Sequence, residues 1–217
     1  MLRLALIEPR EDALEVLCLG AHPDDIEIGC GGTVLRLVEE FPNARFHWVV
    51  LSSNDLRSIE AQRSAEYFLT GAGKQDIRIE RFRESYFPWV GAEIKDYLEE
   101  LRGDMDPDLI LTHHRHDRHQ DHRLVAELTW NTWRDHLILE YEIPKYDGDL
   151  GSPNVFVALD DATAGRKVDG ILDHFPSQQR RAWFDADMFR ALLRLRGMEA
   201  NAPGRFAEGF YGSKVVL

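Results

Sequence analysis

Short apolar runs alternate with amphipathic stretches along most of this chain. Residues 14–20 form an apolar run of strand length, after which residues 27–41 place Ile28, Val34, Leu35 and Val38 at helical spacing. The alternation then repeats. Residues 46–52 are apolar, 57–69 predict a helix, and 76–82 set Ile77, Ile79 and Phe82 as a strand would. Residues 90–101 return to helical spacing, and 108–112 form a strand of the fully buried type. Further on, 121–137 predict a helix, 139–143 and 155–159 strands, and 163–175 and 178–196 helices. Pro, Gly and Asp are dense between 144 and 154, which reads as an extended loop, of a kind that lines sites about as often as it simply connects. The tail over 201–217 reads as irregular, closing in a short apolar run.

Strand followed by helix followed by strand requires crossover connections, and these put helices on both faces of a mostly parallel sheet. The expectation is a three-layer α/β/α sandwich. No internal repeat, low-complexity tract or composition break divides it, so residues 1–217 read as one domain.

Composition narrows the function classes. The chain has 217 residues, 44% of them hydrophobic, enough for a sizeable core. Its 26 basic and 38 acidic side chains give a net charge of −12, which argues against a nucleic-acid partner, because phosphate binding needs Lys and Arg stripes. Cys18 and Cys30 are too few for a disulfide framework and sit in or beside apolar runs as small buried hydrophobes; a reducing compartment fits. No apolar stretch reaches the ~18 residues of a membrane span. Residues 1–12 show no long apolar core with a small-residue cleavage site. A cytoplasmic location is therefore expected.

Two clusters carry candidate chemistry. The first strand runs into Ala21-His22-Pro23-Asp24-Asp25, and the strand at 108–112 runs into a segment with five histidines in ten residues, His113 to His122. Both lie at carboxyl ends of strands, where open α/β sheets bind ligands. Pro23 restricts His22 to extended backbone and bends the chain. One carboxylate and two imidazoles make a plausible zinc set with positions left for water, and His22, Asp25 and His122 form the best triad. Asp24, beside a ligand but off the metal, suits a general base. His119 then suits an imidazolium that stabilises an oxyanion or a proton donor to the leaving amine. Asp121 is placed to orient one of the histidines, with helix capping the competing role. The competing reading of the whole set is a solvated His-rich loop, with Asp24 and Asp25 capping the next helix. Gly29, Gly31 and Gly32 follow a His-Pro-Asp-Asp turn and not a glycine-rich one, so a dinucleotide loop is rejected and close helix-to-sheet approach is expected. Trp48, Trp130, Trp133 and Trp183 read as core, and so does Trp89, with sugar stacking as its second role.

The sequence Ala21-His22-Pro23-Asp24-Asp25, followed by Gly31-Gly32-Thr33 and by Asp117-x-His119-x-Asp121-His122, resembles the PIG-L/LmbE-like family of metal-dependent N-acetylglucosaminyl deacetylases. The match in order and spacing covers roughly the first two thirds of the chain. The resemblance implies a Rossmann-like fold and hydrolysis of an acetamide on a sugar or glycoconjugate to acetate and free amine. It implies His22, Asp25 and His122 as zinc ligands, Fe2+ or another divalent ion being an alternative, with Asp24 as base and His119 as transition-state histidine. It further implies that Arg57, in Arg57-Ser58-Ile59-Glu60, contacts substrate hydroxyls, and it suggests a homo-oligomer. The family often has Glu directly after the paired aspartates; this chain has Ile26 and then Glu27. The stretch around His174 resembles a site-facing segment of some relatives, with a surface helix-end histidine as the competing role.

Three other readings stay open at this level: a zinc amidase on a non-sugar or thiol-conjugate amide, an iron(II) oxygenase using the same two-His-one-carboxylate face, and a metal-binding module without catalysis.

Overall fold

The computed structural model describes residues 13–215, so the reading of residues 1–12 and the very end of the last apolar run fall outside the described residues. Strand β1 (Glu15–Gly20) leads into helix α1 (Asp25–Glu40), followed by β2 (Arg45–Val50), α2 (Asp55–Phe68), β3 (Lys74–Ile79), α3 (Gly91–Asp104) and β4 (Leu109–His113). Then come α4 (Gln120–Thr132), β5 (Leu137–Tyr141), β6 (Val155–Leu159), α5 (Asp161–His174), α6 (Ala186–Glu199) and β7 (Phe206–Gly212).

The strands form one sheet in the order β3-β2-β1-β4-β5-β7-β6. Pairings from β3 through β5 are parallel, and β7 runs antiparallel between β5 and β6. Alternation along β1 sorts the core into two layers. Val16 and Cys18 face the cluster built with α1, α2, α5 and α6, whereas Leu17 and Leu19 face the one built with α3 and α4. This is the mostly parallel three-layer arrangement that the pattern predicts.

Four local features differ from the sequence reading. The tail contains β7, because its polar centre, Glu208, is neutralised inside the fold. Glu208 accepts hydrogen bonds from the Gly32 and Thr33 amides and from Thr33 Oγ1, and it pairs with Lys167, whose ammonium also donates to the Ile28 carbonyl. Helix α6 starts at Ala186 and not near 178, since Asp185 caps the Met188 amide; residues 176–178 are a separate single turn. Helix α4 stops at Thr132, where Trp133 turns into the core, and β5 begins two residues earlier than expected. Trp48 and Trp133 are fully buried, Trp130 and Trp183 only half-buried, and Trp89 is exposed.

Close helix packing does depend on glycine. A Cβ on Gly29 would lie 2.2 Å from the Tyr141 ring on β5, and one on Gly31 would lie 2.7 Å from Phe68, so this glycine admits helix α2 and not the sheet. Cys18 and Cys30 are buried free thiols.

Strand β1 has its sequence successor β2 on one side and β4 on the other, so the chain reverses its direction of build between β1 and β4. The crevice at the carboxyl ends of these two strands is where such sheets bind ligands.

Candidate active site

Past its last sheet residue, β1 is still clamped by its neighbours. The Leu51 and Ser52 amides donate to the Gly20 and Ala21 carbonyls, and the Ala21 amide donates to His113 Nε2 at 3.0 Å. After Pro23 the backbone of Asp24 adopts φ 101°, a left-handed conformation costly for a residue with a Cβ. This turn starts α1 at Asp25 and sends two consecutive carboxylates to different partners. Asp24 sits at the helix cap position, but its side chain caps nothing; its Oδ2 pairs with Arg57 Nη2 at 3.0 Å. Arg57 also donates to the Pro23 carbonyl. The buried guanidinium is thus engaged with Asp24 and the turn, where the resemblance implies contact with substrate hydroxyls.

Asp25 points into the histidines. His22 Nδ1, His122 Nε2 and Asp25 Oδ2 lie 3.1, 3.3 and 3.5 Å from one another. Ligand atoms on a tetrahedral zinc ion, with bonds of about 2.0 to 2.1 Å, stand roughly 3.3 Å apart, a spacing these three donors match; His22-His119-His122 and Asp25-His113-His122 also bring donor atoms within 4.8 Å of one another. Each imidazole is oriented from behind by a carboxylate, as metal-binding histidines usually are. His22 Nε2 meets Asp121 Oδ2 at 3.1 Å, and His122 Nδ1 meets Asp117 Oδ2 at 2.9 Å. Asp121 also accepts from the Ser85 and Phe87 amides, at 2.6 and 3.1 Å, so its carboxylate holds a loop and a histidine and does not cap a helix. Asp117 is paired with Lys145, at 2.9 Å, from the 144–154 loop. That loop therefore backs the site, with Lys145 further tied to Asp149.

Electrostatics follow from this layout. Burial disfavours a charged His22, but Asp25 and Asp121 outweigh it and push its pKa up to about 10. Burial and the neighbouring His113 hold His122 down to about 3. Burial raises Asp24, against the pull of Arg57. His119 is the cap residue of α4, where its Nδ1 accepts from the Asp121 amide at 3.3 Å. Its hydrogen is therefore on Nε2. Burial lowers its pKa first, and a protonated His22 lowers it further, which favours a neutral N–H donor over an imidazolium. Its ring stands edge-on to His22 at 4.9 Å and 4.5 Å from His122.

His113 completes the floor: it stacks on His122 at 3.9 Å and lies 3.2 Å from Asp25, but its Nε2 lone pair is used by the Ala21 amide. The sequence reading places His113 in the histidine run and Asp117 in the family motif but gives neither a role, and it does not name Lys145. The signal for His113 was its place at the inward end of a buried strand, and for Asp117 the spacing of five to His122. His174 instead bonds its own helix at the Gly170 carbonyl and packs on Tyr67. Ile26 fills the core, and burial pushes the neighbouring Glu27 up to about 8.

Residues 17–133, just over half the chain, match the family described as GlcNAc-PI de-N-acetylase, PIG-L. The chain belongs to the PIG-L family. Among curated proteins, this PIG-L chain is 27% identical over 149 residues to the uncharacterized deacetylase YaiS of Escherichia coli, covering 64% of the chain and 80% of that protein. Among solved structures, N,N'-diacetylchitobiose deacetylase from Pyrococcus horikoshii superposes with TM-score 0.73 at 22% identity, over 96% of the PIG-L chain and 87% of the Pyrococcus horikoshii one. GalB, a 4-carboxy-2-hydroxymuconate hydratase from Pseudomonas putida, superposes with TM-score 0.72 at 15% identity over 94% and 98%. The fold thus accommodates more than one reaction, and the site must decide between them.

Proposed function

We propose that this PIG-L protein is a divalent-metal-dependent deacetylase that hydrolyses the acetamide of an N-acetylglucosamine-type sugar or sugar conjugate, with zinc as its metal. The observation that carries the reading is a buried carboxylate, Asp24, placed directly beside a three-atom ligand set to which it does not belong. That pairing of acid–base group and ligand set suits hydrolysis; an oxygenase face has no use for the extra acid.

His22, Asp25 and His122 would hold the cation, which supplies Lewis acidity that polarises an acyl carbonyl and acidifies a water. Asp24 takes the proton from the attacking water, whose oxygen forms the new bond to the carbonyl carbon. His119 Nε2–H donates to the carbonyl oxygen as it gains charge. Asp24 then returns the proton to the nitrogen as the carbon–nitrogen bond breaks, leaving acetate and free amine. Arg57 keeps Asp24 oriented and opposes the burial that raises its pKa, while Asp121 and Asp117 hold the two imidazoles in place.

The test is acetate release by the zinc-reconstituted protein from free N-acetylglucosamine, its oligomers, a nucleotide-linked form and a glycoconjugate. Release from any of them is the expected result. A folded, metal-loaded protein inert toward all four would overturn the sugar reading in favour of an amidase on a different amide.

A further inference from the structure

We propose that Lys145 is a positioning residue of the metal centre. From the 144–154 loop it fixes the carboxylate of Asp117, and through Asp117 it fixes the imidazole of His122 and the turn that carries His119. Its effect on turnover rests on the deacetylase reading given above; its effect on metal binding needs only the proposed ligand set.

The loop is built as a clamp. Gly148 adopts φ 57°, a left-handed conformation open to glycine, and the reversal brings Asp149 back onto Lys145. Lys145 Nζ lies 2.8 and 2.7 Å from the two carboxylate oxygens of Asp149 and 2.9 Å from Asp117 Oδ2. Asp149 Oδ2 in turn accepts from the Arg118 amide at 2.7 Å, and Arg118 Nη1 donates to the Asp147 carbonyl at 3.0 Å. The far end of the loop is also tied down. Arg196, buried on α6, makes two hydrogen bonds to Glu142, at 2.8 and 2.7 Å, and donates to the Gly151 carbonyl at 3.0 Å. Lys145 therefore reaches Asp117 from a segment anchored at both ends.

Asp117 is where the clamp meets the site. Its Oδ2 contacts both Lys145 Nζ and His122 Nδ1, each at 2.9 Å, while its Oδ1 accepts from the His119 amide at 2.7 Å. One carboxylate thus sets the ring of a proposed ligand and the backbone of the proposed oxyanion donor. Asp117 is buried, and a histidine binds metal as the neutral imidazole, so a metal-bound His122 cannot balance its charge. Among the described residues, Lys145 is the one Lys or Arg ion-paired with Asp117. Without it a buried anion is left unpaired and is drawn toward solvent, away from His122 Nδ1. Charge and position act here in opposite directions. A nearby cation repels a metal ion, so losing the charge alone would tighten metal binding, whereas losing the hold on Asp117 weakens it.

The experiment measures the zinc Kd of the full chain by competition with a chromophoric chelator. Lys145→Met should raise Kd about 10 to 100-fold, and Lys145→Arg should recover most of the loss. Asp117→Asn should weaken binding to a similar degree, and Asp117→Asn/Lys145→Met should bind no worse than Asp117→Asn, because the lysine acts through the carboxylate. At saturating zinc, Lys145→Met should lower kcat about tenfold and leave KM for methyl N-acetylglucosaminide unchanged. An unchanged or lower Kd in Lys145→Met, or a double variant weaker than Asp117→Asn, overturns the proposal. A rise in KM without a fall in kcat makes Lys145 a substrate contact and also overturns it. If Lys145→Met does not fold, Asp117→Asn and the double variant, which has one unpaired buried anion fewer, decide the matter between them. A chain that shows this zinc pattern but releases no acetate supports the positioning role and overturns the sugar reading; a wild type that binds no zinc overturns both.

Discussion

Asp24 and Asp25 are neighbours in sequence, yet one meets Arg57 and the other three histidines, because the strained turn at Asp24 separates their directions. This gives distinct expectations for substitution. Asp24→Asn should lower kcat/KM by roughly 10²–10⁴-fold while metal content, measured by atomic absorption, stays unchanged. His122→Ala should instead lose the metal, since it removes one corner of the proposed ligand triangle. Arg57→Met leaves the triangle intact but frees Asp24, so a fall of about 10 to 100-fold in kcat with normal metal content is expected in steady-state assays. Much of this site was legible in the sequence. His22, Asp24, Asp25, His119 and His122 fall within ten residues of two strand ends, so topology brings them to one crevice. The pairing of Arg57 with Asp24, and of Lys145 with Asp117, depends on side chains from distant elements and has no local signature.

At the level of elements, α1 lies so close to the sheet that its sequence is constrained where it has no chemical task. Gly29→Ala would drive a methyl group into Tyr141 and should cost ~1–3 kcal/mol, seen as a fall in Tm of about 2 to 10 °C. Strand β5 carries a buried carboxylate, Glu140, which accepts from His114, from Arg115 and from the Trp130 indole. Burial alone would raise its pKa, but these donors outweigh it and hold it at about 2, against an ordinary 4.5. A depressed acid stabilises the fold fully above its ordinary value and stops doing so as pH falls through its folded value. Glu140→Gln should therefore lose ~1–3 kcal/mol in urea unfolding at pH 7, with the gap to the wild type narrowing toward pH 2. Elements β1 to β5 could be read because hydrophobic periodicity marks them. Strand β7 could not, since Phe206-Ala-Glu-Gly-Phe-Tyr-Gly carries a charge and two glycines, and Lys167, the α1 amides and the Thr33 hydroxyl make that charge tolerable.

Across the whole molecule, the proposed ligand triangle joins α1 to α4 on opposite faces of the sheet, so a metal bound there would brace both helical layers. Chelation should lower Tm by about 10 °C if the metal is present at roughly a thousand times its Kd, and zinc should restore it. An unchanged melting curve by calorimetry, with metal removal verified, would count against the site as drawn. The order in which the sheet closes has a separate consequence for synthesis. Every residue assigned to the chemistry has been translated by position 122, but among the described residues β6 joins the rest of the sheet through β7, which lies later in the chain. A nascent chain can thus display its histidines and aspartates while β5 still has an open edge and Glu208 has not yet reached α1. Until β7 arrives, the ribosome carries the proposed ligand set without its frame, and a chain cut short before 206 would be exposed to edge-to-edge association.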